Sequence, residues 1–133
     1  MAKIEILIVD DSPAFNHLTK LTLQRAKLDC NITEMSNGQR AISYLTESNV
    51  CPDVILLDIN MPVMDGFDFL EEYIRSLNKC HDRTKIYILT SSSQEVDMVR
   101  VRSFNIVKGY FEKPLSAENL QILLSDIKTS GGI

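Results

Sequence analysis

The chain has 133 residues, 44% of them hydrophobic and 24% charged, which suits one compact domain with its own core and no second catalytic or DNA-binding domain. Its 14 Lys and Arg stand against 18 Asp and Glu, a formal net charge of -4, so no basic field exists to hold nucleic acid or an anionic membrane surface. No apolar run approaches the roughly 18 residues of a membrane span, and the first stops at Asp10 and Asp11, so a mature cytoplasmic protein without signal peptide is expected.

In chain order, residues 4–9 form an Ile- and Val-rich run that reads as a strand. Ser12 before Pro13 suits the N-cap and first turn of a helix whose apolar stripe is Ala14, Leu18, Leu21 and Leu28. A weaker strand follows at 31–35, then Ser36 with Gln39 at capping-box spacing ahead of a helix around 41–45. Residues 54–57 are wholly apolar, as a strand covered by helices on both faces requires. Asp65-Gly66 reads as a turn and helix start, and the stripe Phe67, Leu70, Ile74 and Leu77 as the helix after it.

The connection 75–84 is long and reads as solvated loop. Residues 86–89 form the fourth strand, Ser92 with Glu95 a second capping-box spacing before a helix around 96–99, and 109–111 the last strand, with Phe111 assigned to the core. Pro114 precedes a final helix carrying Leu120, Leu123, Leu124 and Ile127, so the domain is set at 1–128 with a frayed tail at 129–133. Cys30, Cys51 and Cys80 are odd in number and far apart, without a C-x-x-C pair, and are expected as reduced thiols; His17 and His81 are given no ligand role. The alternation is (βα)5, an α/β doubly wound three-layer fold around a parallel sheet, with its ligand crevice at the carboxyl ends of the strands.

Those ends carry Asp10-Asp11, Asp58, Thr90 and Lys113. Two carboxylates about 5 Å apart repel by roughly 3 kcal/mol at an effective dielectric near 20, so a cluster of them demands cations. Lys113 supplies one charge and a divalent ion would supply two. With oxygen donors alone, that ion is hard: Mg²⁺ completed by water, with Mn²⁺ as the alternative. Such a site suits phosphoryl chemistry, with Asp58 as the nucleophile, Asp10 and Asp11 holding the ion, and the Asn60 backbone carbonyl completing its shell.

The pair Asp10-Asp11, Asp58 in Leu57-Asp58-Ile59-Asn60-Met61-Pro62, Asp65-Gly66, Thr90 and Lys113-Pro114 stand in the order and spacing of a known family. Over nearly its whole length the sequence resembles the receiver domain of two-component response regulators, in the single-domain form similar to the chemotaxis response regulator. The resemblance implies a flavodoxin-like sheet of order 2-1-3-4-5. It implies that Asp58 accepts a phosphoryl group from a phosphohistidine of a sensor histidine kinase or histidine phosphotransfer protein. Mg²⁺ would then be bound by Asp11, Asp58 and the Asn60 carbonyl, with Asp10 acting through water. Lys113 and the Thr90 hydroxyl would contact the phosphoryl oxygens while Tyr110 swings inward, changing the face offered to a downstream protein. On this reading the chain is not an enzyme beyond its own phosphorylation and dephosphorylation.

Ser91 stands where the family usually has Ala or Gly, which implies narrower access to the phosphoryl site, and Ser92 reads equally as a helix N-cap and as a position tuning phosphoryl lifetime. Tyr110 suits a core position as well as a switch. Two rival readings remain: a receiver-like binding module that is never phosphorylated, and a haloacid-dehalogenase-type phosphatase. The phosphatase needs a second Asp two residues after the nucleophile, and Asn60 stands there.

Overall fold

The computed structural model describes residues 3–48, 51–91 and 95–130, with backbone alone at 95–97 and 128–130. Strands β1 (Ile4–Val9), β2 (Cys30–Met35), β3 (Val54–Leu57), β4 (Lys85–Thr90) and β5 (Val107–Glu112) alternate with helices α1 (Pro13–Arg25), α2 (Gly38–Glu47), α3 (Gly66–Ser76), α4 (Glu95–Arg102) and α5 (Ala117–Ser130). The strands form one parallel sheet in the order β2-β1-β3-β4-β5, as the resemblance implies.

The pleat divides the apolar residues of the three central strands between two cores, since neighbours along a strand point to opposite faces. Leu7, Val9, Ile55, Leu57, Ile86 and Ile88 pack with Ala41, Leu45, Phe67, Leu70 and Val101, so α2, α3 and α4 cover that face. Ile6, Ile8, Val54, Leu56, Tyr87 and Leu89 pack with Leu23, Leu120 and Leu123, so α1 and α5 cover the other. Both faces are dry, which explains why these strands read as continuous apolar runs rather than as alternating ones.

Several local expectations are corrected. Helix α1 buries Asn16, Thr19 and Leu23, whereas Ala14 and Leu18 are exposed and Leu28 lies past the helix end. The stripe is therefore rotated from the expected one, and two of its members are polar. Asn37, not Ser36, caps α2, its side chain accepting from the Arg40 N–H at 2.8 Å. On α3 the buried row is Phe67, Phe69, Leu70 and Tyr73, and Ile74 is exposed. Helix α5 is described to Ser130, and residues 131–133 lie outside the described part. The capping role expected for Ser92 also falls outside it.

The connection 75–84 is only partly the solvated loop expected: Arg75, Ser76, Asn78, Lys79, Asp82 and Arg83 are exposed, and the rest packs inward. After α3 it makes a short 3-10 turn, Asn78–Cys80, with Leu77, Cys80 and Thr84 buried and the His81 ring stacked 5.3 Å from that of Tyr73. Cys80 is joined to Cys51 by a disulfide, contrary to the expected free thiols; Cys30 alone is free. The cause is topological. β3 and β4 are parallel neighbours, so the segments leading into them lie side by side, tied by Thr84 Oγ1 donating to the Pro52 carbonyl at 2.6 Å and the Lys85 N–H donating to that of Asp53 at 3.0 Å. Two cysteines 29 residues apart thus come to a Cα separation of 5.4 Å at the amino-terminal edge of the sheet.

Candidate functional site

The site lies at the opposite edge. Val9 is in register with both Met35 and Leu57, so the chain leaves β1 and β3 at the same height. The Asp10 N–H donates to the Met35 carbonyl at 3.1 Å and the Asp58 N–H to that of Val9 at 2.9 Å, which extends the ladder one residue beyond the strands. At the far side the Lys113 N–H donates to the Thr90 carbonyl at 2.9 Å and holds the end of β5 against β4. Continuing the pleat, Asp10 follows Ile6 and Ile8, Asp58 follows Val54 and Leu56, and Lys113 follows Phe111, all residues of the face under α1 and α5. Thr90 follows Ile86 and Ile88 of the other face. Simple alternation therefore puts two carboxylates and the ammonium on one side.

There they meet. Lys113 Nζ lies 2.6 Å from Asp10 Oδ2 and 3.3 Å from Asp58 Oδ1, with all three side chains at most 5% exposed. The other Asp10 oxygen accepts from the Ser12 N–H at 2.9 Å. One carboxylate oxygen from each of Asp10, Asp11 and Asp58 falls within 4.8 Å of the others, with Asp11 exposed and the other two buried. Burial, and after it the Asp10 charge, push the Asp58 carboxyl up from 3.8 to about 6, against the Lys113 ammonium and the Asn60 N–H, which both pull it down.

The surrounding loops are built to permit this approach. The Asp65 carboxylate caps α3 in a reciprocal box with Asp68, so Asp65-Gly66 start the helix as expected. Gly66 sits directly on the segment that follows β3: its N–H donates to the Ile59 carbonyl at 2.8 Å, and a Cβ there would stand 2.6 Å from the Asp58 backbone oxygen. Between them Val63 is exposed at φ 69°, a backbone conformation costly for a β-branched residue, in a tight turn where the Met64 N–H donates to the Pro62 carbonyl at 2.8 Å. Thr90 is buried at the end of β4, Tyr110 is 36% exposed on β5, and Asn60 is exposed. The Lys113-Pro114 bond is cis.

Three neighbours of the site went unnoticed in the sequence. The Phe15 ring lies with its centroid 4.8 Å from Lys113 Nζ, Asn16 Nδ2 donates to the Asp10 carbonyl at 3.2 Å, and the Ser12 N–H holds Asp10. Their signal was the Ser12-Pro13 start of α1: with Ser12 as N-cap, the first turn that carries Phe15 and Asn16 is aimed back at Asp10.

The donor set fits a hard divalent ion. All donors are oxygens, and three carboxylates against one ammonium leave two negative charges for an ion to balance. The arrangement offers a buried carboxylate, a desolvated cation beside it and an oxygen-lined place that could hold an ion at one rim.

Comparison with known proteins agrees with this geometry. A model of the response regulator receiver domain matches residues 6–125. The chain is 31% identical over 130 residues to a probable methanogenesis regulatory protein, FilR2, of Methanothrix harundinacea, covering 92% of this chain and 80% of that protein. It is 36% identical over 113 residues to the transcriptional regulatory protein SrrA of Staphylococcus aureus, covering 84% of this chain but only 42% of SrrA. Among solved structures, a two-component response regulator from Cytophaga hutchinsonii superposes with a TM-score of 0.89 at 25% identity, covering 96% of this chain and 99% of that one. The chemotaxis protein CheY4 of Vibrio cholerae does so with a TM-score of 0.75 at 28% identity, covering 95% and 99%. With its sheet order, its acidic rim and the family's pattern along most of its length, the chain belongs to the response regulator receiver domains of two-component systems.

Proposed function

We propose that this receiver domain is a phosphoacceptor switch in which Asp58 takes a phosphoryl group from a phosphohistidine of a sensor histidine kinase or histidine phosphotransfer protein. The observation that carries the reading is the Lys113 ammonium bridging Asp10 and Asp58 beside the carboxylate cluster. An Asp58 oxygen attacks phosphorus as the bond to the donor's imidazole nitrogen breaks, and the imidazole leaves with the electron pair of that bond. Lys113 moves its weaker contact, the one to Asp58, onto a phosphoryl oxygen and keeps Asp10. Asp11, Asp58 and the Asn60 carbonyl would hold Mg²⁺, or Mn²⁺ in its place, with Asp10 acting through water because both its oxygens are engaged. When bound, the ion neutralises phosphoryl charge during transfer.

Phosphorylation adds charge and acceptor oxygens at the edge where Thr90 ends β4. The Thr90 hydroxyl turns onto them, and Tyr110, which stands outward, moves in, so that the surface around β5 and α5 changes for a downstream protein. The domain acts in the cytoplasm, through protein contacts rather than nucleic acid or membrane; no helix among the described residues is long and apolar enough to cross a membrane. It turns over only its own phosphoryl group.

Incubation with acetyl phosphate and Mg²⁺, followed by intact-mass measurement and peptide mapping, tests the reading. The expected result is a lasting adduct on Asp58 that Asp58→Asn abolishes. Catalytic release of phosphate without an adduct would favour the phosphatase, and no reaction at all would favour a passive module.

A further inference from the structure

The Lys113 ammonium has three N–H bonds and, among the described residues, two carboxylate partners, Asp10 and Asp58. A lysine in that position would ordinarily complete its shell with water, yet this side chain is 4% exposed. The Phe15 ring stands over the ammonium, 4.8 Å from it. The ring is held there by the same carboxylate that holds the lysine. Asp10 Oδ1 accepts from the Ser12 N–H at 2.9 Å, the Ser12 hydroxyl accepts from the Phe15 N–H at 3.3 Å, and Asp10 Oδ2 binds Lys113. Asp10, Ser12, Phe15 and Lys113 thus close a circuit in which one carboxylate orients both the cation and the aromatic face that covers it.

An aromatic face attracts a cation through its quadrupole but accepts no strong hydrogen bond, and the attraction grows when the cation is dry. The third side of the ammonium is therefore shielded without being tied to a competing acceptor. A water or carboxylate in that place would hold the lysine back from a new anion and bring solvent to the reacting atoms. We propose that Phe15 is a positioning residue for phosphoryl transfer, its ring keeping the Lys113 ammonium dry and aimed at Asp58 and thereby slowing loss of the phosphoryl group to water. The inference rests on the reading of Asp58 as phosphoacceptor, and its test separates the two.

In the full chain, Phe15→Leu preserves apolar volume while removing the ring, and Phe15→Tyr preserves the ring. After labelling with acetyl phosphate and Mg²⁺ and removal of the donor, the Leu variant is expected to lose its phosphoryl group about two to thirty times faster than wild type, the range that the interaction's usual strength implies. The Tyr variant keeps the wild-type lifetime. In unlabelled protein, NMR gives an independent reading: the ring shifts the Lys113 side-chain resonances upfield in the wild type, and the ammonium signal stays visible through slow exchange with water. Both features persist in Phe15→Tyr and vanish in Phe15→Leu. Failure of the wild type to label sinks the phosphoacceptor reading while the resonances still report on Phe15. Equal lifetimes in the Leu variant and wild type, or wild-type Lys113 resonances free of any ring shift, overturn the role of Phe15.

Discussion

The Asp58 carboxyl is held at about 6 rather than 3.8, chiefly by burial and next by Asp10. The folded protein therefore binds a proton at this site more tightly than the unfolded chain does. Stability contributed by the protonated group is fully present below about pH 4 and is lost as pH rises through about 6. At about 1.4 kcal/mol per pH unit the whole displacement amounts to about 3 kcal/mol. Asp11 leaves the cluster open to water on one side, so about 1–2 kcal/mol is the expected size after screening. In metal-free protein, Asp58→Asn removes this penalty while keeping the shape and an oxygen for Lys113. Urea unfolding of both proteins at pH 4, 5, 6 and 7 should show the variant gaining on the wild type as pH rises, with most of the change between 4 and 7. Adding Mg²⁺ at pH 7 should stabilise the wild type and leave Asp58→Asn less affected. A stability difference that is flat across this range, or that grows toward low pH, would refute the electrostatic account of the site.

Lys113→Ala leaves Asp10 and Asp58 buried without their cation and should destabilise the metal-free protein by about 3–5 kcal/mol at pH 7, read by denaturant unfolding, with Mg²⁺ recovering part of the loss. In the presence of the ion the same variant should still label with acetyl phosphate but show no accompanying change in the environment of Tyr110, followed by NMR. Gly66→Ala places a methyl group 2.6 Å from the Asp58 backbone oxygen and should cost about 1–3 kcal/mol while slowing phosphorylation, because the loop carrying the nucleophile must shift. Reduction of the Cys51–Cys80 bond, which joins residues 29 positions apart, should lower stability by about 3–4 kcal/mol, measured by unfolding with and without dithiothreitol.

Much of this architecture was legible because the central strands are buried on both faces. Ile4–Val9, Val54–Leu57 and Lys85–Thr90 have no polar interruption between their first buried residue and their carboxyl end, so the residue that follows or ends each run was marked by contrast. Asp10, Asp58 and Thr90 were found in that way. Helix α1 misled because its inward face carries two polar residues, Asn16 and Thr19, of which Asn16 donates to the Asp10 carbonyl. The disulfide was missed for a different reason: the odd number and wide spacing of the cysteines pointed to free thiols, whereas the segments entering the neighbouring strands β3 and β4 bring Cys51 and Cys80 together at the sheet edge.

The distances at Lys113 also bear on which carboxylate reacts. The ammonium lies 0.7 Å nearer to Asp10, at 2.6 Å, than to Asp58, at 3.3 Å, so Asp10 takes the larger share of its charge. Asp10 has a further donor in the Ser12 N–H, and both of its oxygens are engaged. Asp58 is the farther of the two buried acids from the ammonium, and burial, with the Asp10 charge after it, raises its affinity for a proton. With its carboxyl pushed up to about 6, Asp58 is more basic than an ordinary carboxylate, which suits the proposed attack on phosphorus. Two chemically identical side chains at the ends of neighbouring strands thus stand differently toward Lys113: each accepts from the backbone N–H two residues on, Ser12 for Asp10 and Asn60 for Asp58, but Asp10 takes the shorter contact to the ammonium and Asp58, the proposed phosphoacceptor, the longer one.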